Sequence, residues 1–367
     1  MVESFFYAQP VKIRFGEGSF EKLGDVLDEL GVRRAVLVSG RHFAPQATRL
    51  MAQDGRLAAA FCAVEQNPQL SGVEETVRLC RLHGADAVIG IGGGSAMDTA
   101  KYAAAVAPNE GDALDYYRGE RALDAARRLT IIAVPTTAGT GSEVTQVSVI
   151  SHGGEKKTTN HPAFMPTAAV VDPLLTLGVP QRTTMNTGLD AVAHAIEGYW
   201  SVNHQPITDI LAVEAVRLAL GNLERAWRDG NDREARCAMS FASLLAGLSF
   251  AQPKTAACHA CSYPLSERFH LPHGEACAFT LDSFIRLNAD ERLEKLARGA
   301  GFSGCAALAD RIRELKELAG LRRRLSDLDG EADVPDLAAA CLRHPLMNNN
   351  PRRFTQDELV AMFEALR

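Results

Sequence analysis

The chain has 367 residues, 46% of them apolar, and a formal net charge of −6 at pH 7. That length exceeds what one hydrophobic core usually serves, so two domains are expected, and the acidic balance leaves no basic surplus to neutralise a nucleic acid. No Lys/Arg block suits a membrane surface, no apolar stretch is long enough to span a bilayer, and the first residues lack the pattern of a secretion signal.

A cytoplasmic enzyme is therefore expected. Its eight Cys are scattered through a core-rich chain and read as reduced thiols. One C-x-x-C pair, Cys258 and Cys261, has no second pair to complete a four-sulfur zinc site, so both read as small helix-packing residues.

Short β-like runs at Val11 to Phe15, Ala35 to Ser39, Ala59 to Val64, Asp86 to Ile91 and Thr130 to Val134 alternate with amphipathic stretches. The latter run from Ser19 to Leu30, Pro45 to Gln53, Val73 to Gly84 and Ala96 to Ala107, with apolar residues at three- and four-residue intervals. The pattern predicts an α/β N-terminal dinucleotide-binding domain over residues 1–180, built on a parallel sheet.

Its informative junction is Gly90-Ile91-Gly92-Gly93-Gly94-Ser95-Ala96-Met97-Asp98-Thr99-Ala100-Lys101, where an apolar strand meets three glycines and then an Ala-rich helix. Glycines let backbone N–H groups approach a ligand, and a helix start adds free donors and a positive dipole end, so a pyrophosphate fits there. The competing reading is a tight turn capped by Ser95, which also stands where the usual dinucleotide fingerprint has its third glycine. A second polar loop, Pro135-Thr136-Thr137-Ala138-Gly139-Thr140-Gly141-Ser142-Glu143, follows the Thr130 strand and is expected to open on the same sheet edge.

From about Pro173 onward the periodicity is helical, which predicts an all-α C-terminal domain over residues 181–367 with seven to nine helices. In the stretch from Asn186 to Trp200, Asp190 and His194 stand four apart and project from one helix face. Cys258-His259-Ala260-Cys261 and Leu271-Pro272-His273-Gly274 add two imidazoles. Three His and one Asp make a nitrogen-rich site suited to Fe²⁺ or Zn²⁺ with room for a substrate oxygen. Taken singly, each His reads better as a hydrogen-bonded helix residue, and the combination carries the reading. His83, His152, His161, His204 and His344 read as solvated, whereas His270 is a candidate for substrate contact or proton relay.

These residues resemble the iron-containing (group III) alcohol dehydrogenases. The resemblance rests on Gly92-Gly93-Gly94-Ser95-x-x-Asp98-x-x-Lys101, on Pro135 through Glu143, on Gly188-x-Asp190-Ala191-x-x-His194-Ala195-x-Glu197 and on Pro272-His273-Gly274, and it runs to the closing Asn350-Pro351-Arg352-Arg353. It implies a dehydroquinate-synthase-like fold, with Gly92, Gly93, Gly94 and Ser95 under the cofactor pyrophosphate and Asp98 beside them. Thr136, Thr137 and Thr140 would lie near the adenine and nicotinamide ends, and Lys156, or Lys157 if the loop is shifted by one, near the nicotinamide ribose. The metal positions fall on Asp190, His194, His259 and His273.

Two departures from the family pattern matter. Tyr263 occupies a place where many members carry His, which leaves Tyr263, His270 or water to deliver the proton. After the second strand the chain reads Val38-Ser39-Gly40-Arg41, where NAD-preferring members often carry Asp. Loss of that carboxylate at Gly40, with Arg41 beside it, favours NADPH over NADH. The stretches Ser262 to Leu265 and His270 to Gly274 are similar to a branch that reduces phosphonoacetaldehyde, with Arg268 and Lys157 as candidate anion partners. The expected partners are a small aldehyde or alcohol and a second copy of the chain in a homodimer. Competing readings are a metal-dependent cyclase of the dehydroquinate synthase type and a non-enzymatic metal or nucleotide sensor.

Overall fold

The computed structural model describes residues 4–367. Runs of small and β-branched residues form strands β1 (Lys12–Phe15), β2 (Ala35–Ser39), β3 (Leu57–Phe61), β4 (Ala87–Gly92) and β5 (Thr130–Pro135). They are followed by β6 (Val147–His152), β7 (Glu155–Asn160) and β8 (Ala168–Val171). Six of these strands make one parallel sheet in the order β1-β8-β5-β4-β2-β3. Every residue of β2 is buried, as expected of a parallel strand covered on both faces. Around the sheet lie α1 (Leu23–Glu29), α2 (Ala44–Gln53), α3 (Leu70–His83), α4 (Gly94–Val106) and α5 (Ala113–Arg118).

The predicted strand at Ala59 to Val64 begins earlier, at Leu57, because its pairing with β2 starts at Ala35 opposite Leu57. Sequence reading also misses β8, although that strand is hydrogen-bonded between β1 and β5. Its four residues, Ala-Ala-Val-Val, are too few to show a period. The β6–β7 hairpin is a second omission with a legible signal. Gly153 and Gly154 both hold positive φ, 60° and 86°, the requirement of a two-residue hairpin turn.

The second half is helical: α6 (Gln181–Trp200), α7 (Pro206–Arg228), α8 (Arg233–Phe250), α9 (Ala257–Phe269) and α10 (His273–Leu287) precede α11 (Glu291–Gly299), α12 (Cys305–Leu318), α13 (Val334–Arg343) and α14 (Gln356–Glu364). Helix α6 is buried almost continuously from Thr184 to Trp200, wrapped by α7, α8 and α10. A helix covered on all sides is one whose side chains can meet an enclosed site. The chain divides into an α/β unit, Gln9–Thr137 with Gly141–Thr176, and a helical unit, Leu177–Arg367 together with Ala138–Thr140 and residues 4–8. Among the described residues no helix is long and apolar enough to cross a membrane.

Candidate metal centre and cofactor cradle

In the α/β unit β4 and β5 run side by side, Gly92 opposite Pro135, and the N–H of Thr136 donates to the carbonyl of Gly92 at 2.9 Å. The two glycine- and threonine-rich loops therefore open at the same carboxyl edge of the sheet, the edge where open α/β sheets take ligands. Helix α4 begins at Gly94 with Gly93 as its N-cap and no side chain capping it. Ser95 is thus not the cap, and the first-turn N–H groups suit an anion such as a pyrophosphate. Gly92, Gly93, Gly94, Ser95, Thr136, Thr137 and Thr140 are all half-buried around these loops.

Asp98 is placed differently from the expectation that it touches the cofactor. Its buried carboxylate accepts from Ser142 Oγ at 2.8 Å and from the N–H of Val149 at 2.9 Å, while Lys101 Nζ donates to Ser142 Oγ at 2.6 Å and to the Val147 carbonyl at 3.0 Å. Burial pushes Lys101 down to about 8 against the opposing pull of Asp98. This network ties α4 to the segment after the second loop, so Asp98 positions the loops from beneath. At the end of β2, Gly40 is half-buried and Arg41 exposed, and a Cβ on Gly40 would meet only the Val64 carbonyl at an ordinary 3.6 Å.

In the helical unit the four expected ligands converge. Asp190 and His194 project one turn apart from α6, His259 stands in the first turn of α9, and His273 opens α10. Asp190 Oδ1 lies 3.7 Å from His259 Nε2 and 3.8 Å from His273 Nε2. Donors around one tetrahedral ion, each about 2.0–2.3 Å from it, are separated by roughly 3.3–3.8 Å. Gly274 lets α10 begin this close to α6, since a Cβ there would sit 2.1 Å from the Asn186 carbonyl oxygen.

The nitrogen lone pairs supply the test of fit. His194 Nδ1 meets the Gly139 carbonyl at 3.2 Å, and His259 Nδ1 meets the Glu197 carboxylate in a short contact. Both partners only accept, so each Nδ1 carries the proton and, in the neutral rings, each Nε2 bears a lone pair. Yet the two Nε2 atoms face each other at 3.0 Å. Such a pair must hold a proton or a cation between its lone pairs. Burial, then the neighbouring His259 and His273, press His194 well below the usual imidazole range. For His259 burial acts in the same direction, but Cys277 and Glu197 outweigh it and hold that ring well above the range. The donor set fits a divalent metal.

Glu197 is the residue that sequence reading left without a role. Fully buried, it accepts from the N–H groups of Ala256, Cys258 and His259 and orients the His259 ring, the usual duty of a carboxylate behind a metal-binding imidazole. Its position one turn beyond His194 on the same helix face was the available signal. Cys277 is a second omission: its sulfur joins Asp190, His259 and His273 in a group whose ligand atoms all lie within 4.8 Å of one another.

Tyr263, one turn beyond His259, stacks its ring on His344 with centroids 4.3 Å apart. His344, expected to be solvated, is half-buried, and burial lowers its pKa. His270 is exposed and ends α9 in the left-handed conformation, φ 52°, which gives it a chain-turning role in place of the expected pocket role. Arg268, an expected anion partner, is paired with Asp336 at 2.8 Å. Lys157, the other, lies over the Tyr117 ring and donates to the Tyr117 carbonyl, whereas Lys156, on the opposite face of β7, reaches Asn67 Oδ1 at 3.3 Å. Cys258 and Cys261 are buried free thiols inside α9, as expected.

Comparison with known proteins agrees with this architecture. Residues 10–173 match the model of the iron-containing alcohol dehydrogenases, and residues 184–367 match the Fe-containing alcohol dehydrogenase family, C-terminal. The chain is 34% identical to long-chain-alcohol dehydrogenase 1 of Geobacillus thermodenitrificans, over 95% of this chain and 93% of that protein. It is 32% identical to sulfoacetaldehyde reductase of Bilophila wadsworthia, over 99% of both. Among solved structures, sulfoacetaldehyde reductase from Bifidobacterium kashiwanohense in complex with NAD⁺ superposes with a TM-score of 0.95 at 40% identity, covering 99% of each chain. A parallel sheet bearing a glycine loop, a helical half bearing three His and one Asp, and these matches along the whole length lead to one statement: the chain belongs to the iron-containing alcohol dehydrogenase family.

Proposed function

We propose that this protein is a metal-dependent, nicotinamide-linked aldehyde reductase or alcohol dehydrogenase acting on a small anionic aldehyde. The observation that carries the metal dependence is the 3.0 Å approach of the His194 and His259 Nε2 atoms, each with its Nδ1 committed to an acceptor. Asp190, His194, His259 and His273 would hold Fe²⁺ or Zn²⁺. A metal held there would supply Lewis-acid polarisation of a carbonyl oxygen, and a bound nicotinamide would supply the hydride chemistry.

The chain's own residues do the rest. Backbone N–H groups of Gly92 to Ser95 hold the pyrophosphate, Asp98 and Lys101 brace those loops, and Lys156 serves the nicotinamide ribose. Tyr263 moves the proton at the substrate oxygen, its ring fixed by the stack on His344. With Gly40 in place of a carboxylate and Arg41 exposed beside it, NADPH is favoured. A reducing, cytoplasmic setting agrees with a large, core-rich chain that needs no disulfide staples.

The anionic substrate is supported by the similarity to two sulfoacetaldehyde reductases, and phosphonoacetaldehyde has the same two-carbon, anion-tailed chemistry. Membership in the family displaces the cyclase and sensor readings. Metal-reconstituted protein assayed with sulfoacetaldehyde, phosphonoacetaldehyde and propanal, each with NADPH and NADH, tests the proposal. The expected result is metal-dependent cofactor oxidation, with kcat/KM for an anionic aldehyde about tenfold or more above that for propanal, the worth of one charge-assisted contact. Equal values for all three aldehydes would remove the anionic substrate, and activity in metal-free protein would remove the metal.

A further inference from the structure

Helix α10 carries two potential donors on one face, His273 at its first position and Cys277 one turn later. The Cys277 sulfur lies 3.8 Å from His273 Nε2, in the group with Asp190 and His259 whose ligand atoms are all within 4.8 Å of one another. A thiolate about 2.3 Å from an ion and an imidazole about 2.0–2.1 Å from it are separated by roughly 3.5–3.6 Å in a tetrahedral shell. The observed spacing is within a few tenths of an ångström of that. A buried cysteine more often fills space among aliphatic side chains. Here the sulfur is set against an imidazole nitrogen, with a second imidazole and a carboxylate close by.

We propose that Cys277 is an additional metal donor, so that this chain's centre combines three imidazoles, one carboxylate and one sulfur. The inference rests on the metal-dependent reading above and goes beyond it. A catalytic Zn²⁺ can expand from four donors to five, so in the resting centre Cys277 takes the open position without displacing His194, and yields it to the substrate oxygen. As the sulfur–metal bond forms, the thiol proton passes to solvent and no oxidant is required. The consequence is selectivity: three His and one Asp suit Fe²⁺ and Zn²⁺ alike, whereas a thiolate favours the softer, more thiophilic Zn²⁺.

The test loads metal-free protein with Co²⁺ and reads two quantities, the stoichiometry by equilibrium dialysis and the thiolate-to-cobalt charge-transfer band in the near ultraviolet. The wild type should bind Co²⁺ stoichiometrically and show the band. Cys277→Ser should keep the ion and lose the band, and its preference for Zn²⁺ over Fe²⁺ in competition should fall about tenfold. Cys258→Ser, which removes a buried thiol outside the group, should keep the band. Cys277→Ala provides a second variant, and the wild-type spectrum decides the matter even if neither variant folds. Stoichiometric Co²⁺ without a charge-transfer band in the wild type, or a band that survives in Cys277→Ser, would overturn this inference and leave the metal centre standing. Absence of Co²⁺ uptake would overturn the metal centre and this inference together.

Discussion

His273 is the accessible member of the donor set, its side chain 37% exposed, while Asp190, His194 and His259 are buried. Its imidazole is therefore the member of the set whose removal disturbs the buried packing least. Metal-free His273→Ala is expected to unfold within a degree or two of the metal-free wild type, while its metal affinity falls by more than the roughly 10–100-fold that loss of an outer hydrogen-bond partner costs. Metal content after dialysis, measured beside the melting temperature, checks this, and full occupancy in the variant would refute the ligand role. Gly40 offers the second single-residue prediction. A side chain there has room, and a carboxylate would repel a ribose phosphate and accept from free ribose hydroxyls. Gly40→Asp should move the NADPH-to-NADH ratio of kcat/KM towards NADH by about ten- to a hundredfold, the effect of 1–3 kcal/mol. An unchanged ratio would place Gly40 away from the ribose.

At the scale of elements, the centre depends on how closely α10 can approach α6. Asp190 comes from one helix and His273 from the other, and Gly274 is the contact between them. A methyl group at 274 would overlap the Asn186 carbonyl, so one helix must shift. Gly274→Ala should cost about 1–3 kcal/mol in urea unfolding, the usual price of overpacking. It should also weaken metal binding, because the shift separates donors held on the two helices. Unchanged values in both measurements would show that the helices yield without strain. The same turn of α10 carries Glu275, fully buried, which accepts from the N–H and Nε of Arg322 at 3.1 and 2.8 Å and from Arg182 at 3.2 Å. Burial alone would raise its pKa, but the Arg322 hydrogen bonds outweigh that and hold the carboxyl below its ordinary range.

That depressed value has a consequence for the whole molecule. In the pH window between the folded and unfolded values the unfolded chain binds the extra proton, so stability rises with pH there. The contribution of Glu275 is present at neutral pH and is lost as pH falls from about 4 through its lower folded value. Glu275→Gln should therefore destabilise by about 1–3 kcal/mol at pH 7, with a deficit that shrinks as the pH drops below 4. Denaturation series at several pH values would show it, and a deficit independent of pH would assign the loss to shape in place of charge. Metal removal acts at the same scale. An ion that binds only the folded state at a hundred times its Kd adds about 2.7 kcal/mol, so chelation should lower the melting temperature by several degrees, reversibly on adding metal back. A melting temperature unmoved by verified metal loss would mean that the ion binds the unfolded chain as well as the folded one, or binds the folded one too weakly to stabilise it.

The sequence by itself determined the alternation of strands and helices in the first half, the helical second half and the convergence-prone pairs. A period of two or of 3.6 and a spacing of four residues are local properties that the chain carries before it folds. Asp190 with His194 was legible for that reason, and so was the glycine loop after the strand that ends at Gly92. What lay beyond local reach was decided by tertiary structure. The short β8 became a strand only because β1 and β5 flank it. Glu197 acquired its role only when α9 brought the His259 ring to it, and Cys277 only when α10 started against Asn186. Arg268 and His270 show the converse. Proximity in sequence to a ligand suggested a pocket, but the side-chain direction set by α9 and its left-handed end gave one to Asp336 and the other to solvent. Periodicity identifies which face of an element is apolar, and only the meeting of two elements decides which polar side chains on those faces come together.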